Sequence, residues 1–156
     1  MKRILLLSVF TLFLFPAFSQ SSESDSIAIM SIIEDVFDGM RESDTSKMAP
    51  YFHESAQMQS LVVSAEGNNV SKLSGPEGWL NAVANNNSGT VWNEQVNNIK
   101  IISDGAVATA WMDYTFYLGD QLSHCGINSF QFIKMNEKWK IIYIIDSRFK
   151  NKCDQN

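Results

Sequence analysis

The sequence predicts an α+β fold, with about three helices gathered on one side of a curved antiparallel sheet. Three observations carry this. From Ala106 to Arg148 the chain reads as a three-strand meander, Ala106 to Leu118, Leu122 to Met135 and Lys138 to Arg148, rich in β-branched and aromatic residues and broken by turns at Gly119-Asp120 and around Asn136. Ahead of it, Ile29, Ile32, Ile33, Val36, Phe37 and Met40 recur at three-and-four spacing, the signature of an amphipathic helix. The element order is helix, helix, strand pair, helix, then long strands, which places the helices together against one sheet. A chain of 156 residues, 45% hydrophobic and 19% charged, suits a single domain with a real core.

The first helix ends near Glu42, and its outward Glu34, Asp35, Asp38 and Arg41 make a solvated face. Asp44 is placed to cap a short second helix through Met48 to Phe52, limited by Pro50. His53 to Ser64 reads as a strand, Gly67 to Asn69 as a turn, and Val70 to Leu73 as a returning edge. His53 itself reads as a turn residue that satisfies the backbone. Ser74 with Glu77 forms a capping-box pattern, so a helix is expected from about Gly75 to Val83, with Trp79 inward against the core or a pocket floor. Val91 to Ser103 enters the sheet, and Asp104-Gly105 turns it into the meander.

Lys2 and Arg3 precede an uncharged apolar run from Ile4 to Phe18, the pattern of a secretory leader cleaved after Ser19. Residues 1–19 are thus expected to be removed, 20–26 to be a tether, 27–150 the domain and 151–156 a tail, in an exported protein of the periplasm or exterior that is not embedded in a membrane. The net charge of -5 becomes -7 when Lys2 and Arg3 leave with the leader. That surface repels phosphate backbones, so nucleic acid is not an expected partner. Export lets Cys125 and Cys153 form a disulfide that would contribute about 3 to 4 kcal/mol by chain entropy; two unpaired thiols are the other reading.

A two-residue loop at Gly119-Asp120 sets Thr115 opposite His124, Asp113 opposite Gly126 and Trp111 opposite Asn128, so Trp111, Asp113, His124 and Asn128 share a face. The next turn is open to two readings. A two-residue loop at Asn136-Glu137 pairs Lys134 with Trp139 and sends Asp146 to the far face. A three-residue loop centred on Asn136, the preferred reading, sets His124 opposite Arg148 and Gly126 opposite Asp146. Met112, Tyr114, Phe116, Ile127, Ile133, Ile141, Tyr143 and Ile145 then occupy the other face. In this arrangement His124 and Asp146 form a linked pair suited to acid-base work, and Arg148 can bind an anion. A structural salt bridge at the sheet edge explains the same residues. Two histidines far apart offer no metal-ligand spacing, and no phosphate loop or dinucleotide fingerprint is present, so no metal and no cofactor are expected.

Trp111, Tyr114 and Phe116, Ser123-His124-Cys125-Gly126, Phe130, Trp139-Lys140-Ile141 and Asp146-Ser147-Arg148 resemble exported bacterial members of the nuclear transport factor 2-like superfamily, nearest its SnoaL-like and lumazine-binding groups. The resemblance implies a cone-shaped barrel with a pocket at the wide end, and a homodimer formed through the sheet. It also implies small-molecule binding, or the cofactor-independent isomerase, cyclase and dehydratase reactions known in that superfamily. The expected function is therefore binding of a small organic molecule, with Trp111 stacking, Asp113 and Asn128 in polar contact and Arg148 on an anion. The alternatives are an enzyme using His124 with Asp146, and a ligand-free dimeric interaction module whose pocket is plugged by Trp and Phe side chains.

Overall fold

A computed structural model describes residues 23–64, 69–150 and 153; the expected leader and most of the expected tail lie outside them. The first helix, α1 (Glu23–Glu42), begins inside the stretch expected to be a tether. It does so because Asp25, buried in its first turn, accepts hydrogen bonds from Trp139 Nε1 and Lys134 Nζ, both at 3.1 Å. Glu23 and Asp25 also suit the positive end of the helix dipole. The helix stops where Ser43 turns to φ 56° and the Asp44 amide donates back to Gly39 O at 2.8 Å. Gly39 is needed there, since a Cβ would meet Met48 Cγ at 2.6 Å and Asp44 O at 2.7 Å.

The short second helix is two 3-10 turns, Thr45–Lys47 and Ala49–Tyr51, the first capped by Asp44 through the Ser46 amide. Then come β1 (Phe52–Val63), β2 (Val70–Ser74), α2 (Glu77–Ala84), β3 (Trp92–Ser103), β4 (Val107–Leu118), β5 (Gln121–Met135) and β6 (Lys138–Phe149). The capping box does not form. Ser74 is paired with Met58 as the last residue of β2, and Pro76 occupies the cap position of α2.

The six strands lie in the order β2-β1-β6-β5-β4-β3. The sheet is mixed rather than wholly antiparallel, because β1 runs parallel to β6, and it is open rather than closed into a barrel. The α+β architecture of a curved sheet with helices on one side stands as expected. Ile29, Ile33 and Val36 of α1 are fully buried against Ala110, Met112, Phe130 and Phe132 on the concave face. Each such aliphatic side chain contributes about 1.5 to 3 kcal/mol on burial.

Two bulges decide which side chains reach that face. Leu118 pairs with Gln121 as expected, but Ser123 is an extra residue in β5, so Phe116 rather than Thr115 meets His124. The second turn is the two-residue loop, with Asn136 and Glu137 at φ 49° and 62° and Lys134 opposite Trp139, which corrects the three-residue reading. A second extra residue, Ile142 in β6, then inverts the alternation. Asp146 thereby lands opposite Asn128, not Gly126, on the same face as His124. The expected apolar face splits in consequence. Met112, Tyr114, Phe116 and Ile141 turn to the concave side, while Ile127, Ile133, Tyr143 and Ile145 alternate to the other.

Candidate functional site

Between the helices and the concave face of the sheet lies a cavity of about 550 Å³. Phe37 and Met40 of α1, Trp79 of α2, and Trp92, Phe116 and Phe130 of the sheet form its apolar wall. Val62, Val70 and Lys72 of β1 and β2 and Leu118 at the end of β4 line it while remaining exposed, and so mark its opening. Trp and Phe side chains wall this space without plugging it.

At the polar end, the strands contribute two hydrogen-bonded groups, Asp146 with Ser60 and Arg148, and Glu94 with Asn128. Asp146 Oδ1 accepts from Ser60 Oγ at 2.6 Å, its direct partner on β1, and Asp146 Oδ2 accepts from Arg148 Nε at 2.6 Å. Arg148 Nη2 also donates to Ser60 Oγ at 2.9 Å. Three strands along from β6, on β3, Glu94 Oε1 accepts from Asn128 Nδ2 at 2.6 Å. Asn128 is buried, so the unpaired amide would be costly without this bond. Tyr114, also buried, donates its hydroxyl to Ser147 O at 3.0 Å. Gly126 allows this close passage, since a Cβ there would stand 1.8 Å from Ser147 O.

The electrostatics separate two groups. Burial pushes the Glu94 carboxyl up to about 7, against the Asn128 hydrogen bond; the Asp146 charge adds to the rise and Arg148 opposes it. Glu94 is only half-buried by surface, but that surface is cavity wall. Burial pushes His124 down to about 4, helped by Arg148 and opposed by Asp146. A neutral imidazole follows at pH 7, its ring 5.0 Å from Phe116 and 5.7 Å from Tyr114. Tyr114 is raised above the usual phenol range by burial, with Asp146 and Glu94 adding to the rise, and stays protonated.

Of the residues expected here, His124, Asn128, Asp146 and Arg148 line the cavity. His124 and Asp146 share it without a hydrogen bond between them: Asp146 is taken by Ser60 and Arg148, and His124 Nδ1 meets Ser123 Oγ at 3.0 Å. Trp111 and Asp113 do not line it. The Ser123 bulge leaves them on the opposite face, Trp111 52% exposed and Asp113 accepting from Asn98 Nδ2 at 2.6 Å. Glu94, Ser60 and Tyr114 were missed by sequence reasoning. Glu94 carried a usable signal: in Trp92-Asn93-Glu94-Gln95-Val96 it alternates with apolar residues, which sets an acid on an inward face. Cys125 and Cys153 form a disulfide, with Cα atoms 5.5 Å apart, that ties the tail to β5. Among the described residues no cluster of three or more His, Cys, Asp or Glu is arranged to hold a metal ion, and no helix is long and apolar enough to cross a membrane.

Solved structures of this architecture share little sequence with the chain. A nuclear transport factor 2-like protein of unknown function from Shewanella baltica aligns with a TM-score of 0.59 at 16% identity, over 84% of this chain and 98% of that one. A protein of unknown function with a cystatin-like fold from Nostoc punctiforme reaches 0.66 at 14% identity, over 85% and 96%. A protein from Streptomyces avermitilis described as a "putative dehydratase" of the nuclear transport factor 2-like family reaches 0.60 at 12% identity, over 83% and 99%. Such identities speak for the fold alone. No curated protein matches the sequence. The sequence model of the family described as "Putative lumazine-binding" matches residues 24–144, from the first turn of α1 into β6. The chain therefore belongs to that family.

Proposed function

We propose that this chain is an exported protein that binds a small organic molecule in the cavity between its helices and its sheet. The observation that carries the reading is the cavity itself: about 550 Å³, walled by aromatic side chains and ending in a few convergent polar groups. That division is the usual one for an organic ligand, apolar area for affinity and placed polar atoms for orientation. The family description points to the same class of function. Export rests on the leader pattern of residues 1–19 and agrees with the disulfide. The exposed Trp111, Ile102, Val107 and Ile145 on the outer sheet face suit a second copy of the chain.

Val62→Trp tests the ligand site, because Val62 is an exposed residue at the cavity opening and a larger side chain there blocks entry without touching the core. In a thermal-shift screen of small aromatic and polycyclic compounds the wild type should give hits that this variant loses. Hits retained by the blocked variant would place binding elsewhere. N-terminal sequencing of the protein recovered from the periplasm should begin at Gln20, and sedimentation should report a dimer that Trp111→Lys dissociates.

One observation favours a cofactor-independent isomerase, cyclase or dehydratase as a second reading. Glu94, with its carboxyl near 7, can both hold and yield a proton in the cavity. Here Glu94 takes the acid-base role expected of His124 and Asp146, since Asp146 is committed to Arg148. Turnover on a panel of ketones and polyketides, lost in Glu94→Gln, would establish it; an inactive wild type across that panel would count against it.

A further inference from the structure

We infer that Glu94 serves as a neutral carboxylic acid that donates a hydrogen bond to the bound molecule, so that the cavity selects ligands with a carbonyl or ring-nitrogen acceptor and couples their binding to proton uptake. The inference rests on the ligand-binding reading and names what the ligand presents.

The geometry shows why this carboxyl differs from its neighbour. Asp146 has a cation of its own, with Arg148 Nε at 2.6 Å and Ser60 Oγ at 2.6 Å. Among the described residues no cation is bonded to Glu94; its hydrogen bond comes from a neutral amide, Asn128 Nδ2 at 2.6 Å on Oε1. That bond fixes the carboxyl in orientation and occupies one oxygen on the Asn128 side, while the residue lines the void. An ionised Glu94 would place a second negative charge in an apolar cavity near Asp146, and burial does hold the carboxyl up to about 7. A neutral acid carries one O–H donor, and a ligand acceptor in the cavity completes it.

The surrounding charged groups do not compete for this role across neutral pH. On β6, Arg148 stays cationic, its guanidinium bonded to Asp146. On β5, His124 is already neutral above about 4. Tyr114 on β4 stays a phenol with its hydroxyl on Ser147 O. Lys72 on β2 sits at the exposed opening, and α1 and α2 offer the apolar Phe37, Met40 and Trp79. The other histidine, His53, bonds Ser55 at the start of β1 and does not line the cavity.

The test uses the purified, disulfide-bonded protein and two uncharged dyes. Nile red carries a ring carbonyl; diphenylhexatriene is a hydrocarbon without an acceptor. If only the neutral acid binds, Nile red affinity falls roughly tenfold for each pH unit above about 7, hence roughly 30-fold weaker at pH about 8.5 than at pH about 5.5. Glu94→Gln keeps an N–H donor at the same place, so its affinity should stay near the wild-type low-pH value at both pH values. The hydrocarbon should bind equally well across the range. As a second measurement, the Glu94 carboxyl followed by carbon-13 NMR should titrate higher with Nile red bound than without it.

A flat Nile red profile in the wild type, a slope that survives in Glu94→Gln, a matching slope for the hydrocarbon, or an unmoved carboxyl midpoint each overturns the proton coupling while leaving the cavity as a ligand site. Failure of both dyes to bind at any pH would overturn the ligand reading and this inference with it.

Discussion

Asn128 reaches across β4 to donate its amide to Glu94 Oε1 at 2.6 Å, joining β5 to β3 over a strand that lies between them. The bond holds the Glu94 carboxyl lower than burial alone would put it. Asn128→Ala should therefore move the Glu94 midpoint above 7, read by carbon-13 NMR of the carboxyl. The lost bond should also cost about 1 to 3 kcal/mol in urea denaturation. A midpoint that falls would show that the amide does not stabilise the charged form.

The two perturbed groups act on stability with opposite sign. Glu94 titrates near 7 when folded against 4.5 in the open chain, so the folded state holds the extra proton, and stability drops as pH rises through that window. His124 titrates near 4 when folded against 6.5, so the unfolded state holds the extra proton, and stability drops as pH falls from 6.5 toward 4. In the wild type the two slopes largely cancel between 4.5 and 6.5. Glu94→Gln should expose the histidine slope and His124→Asn the glutamate slope, each about 2 kcal/mol across its window once partial exposure is allowed for. Denaturation midpoints measured from pH 4 to 8 read both.

Gly126→Ala should damage the polar end of the cavity from beneath it. The added Cβ would stand 1.8 Å from Ser147 O and 2.8 Å from Ser147 C, both backbone atoms, so β6 must shift where it carries Asp146 and Arg148. An overpacked site of this kind costs about 1 to 3 kcal/mol or more. Thermal denaturation should register that loss, and Nile red binding at low pH should weaken alongside it.

How much of this was legible in the sequence differs from element to element for physical reasons. The spacing from Ile29 to Met40 marked α1 because a helix must bury one stripe, and the β-branched runs marked the long strands. The first hairpin's tip was legible because Gly119 and Asp120 suit a tight turn. Ser123 and Ile142 were not legible as bulges. Neither is Gly or Pro, and an ordinary residue becomes an insertion only when its partner strand is known. The miss at Trp111 and Asp113 follows directly. Asp146 was assigned to the face of His124 by way of the wrong turn; Ile142 supplied the inversion that the turn did not. The parallel pairing of β1 with β6 joins distant segments, and local pattern does not encode it.

Asp25→Ala tests the anchor of α1. It would leave the buried Trp139 indole N–H without its acceptor at 3.1 Å, which costs about 1 to 3 kcal/mol. Trp139→Phe in the same background should make the Asp25 change milder, and a double-mutant cycle on urea midpoints measures the coupling.

Cys153→Ser should lower stability by about 3 to 4 kcal/mol in the chain-entropy model, for a bridge spanning 28 residues of sequence. Reduction of the wild type by dithiothreitol should bring its melting temperature down to that of the variant.

Both bulges change strand length and not chemistry, so the contents of the cavity depend on residue count as much as on residue type. Deleting Ile142 would remove only the residue that stands outside the pairing, so Ile141 would still meet Phe132, Tyr143 would still meet Gln131, and Asp146 and Arg148 would keep facing the cavity. Deleting Ser123 would likewise leave Leu122 opposite Tyr117 and His124 opposite Phe116. A single-codon insertion or deletion at a regularly paired position does the opposite, exchanging the whole set of facing residues beyond it in one step. A relative with every one of these side chains but one regularly paired residue fewer in β6 would present a different chemical surface to its ligand.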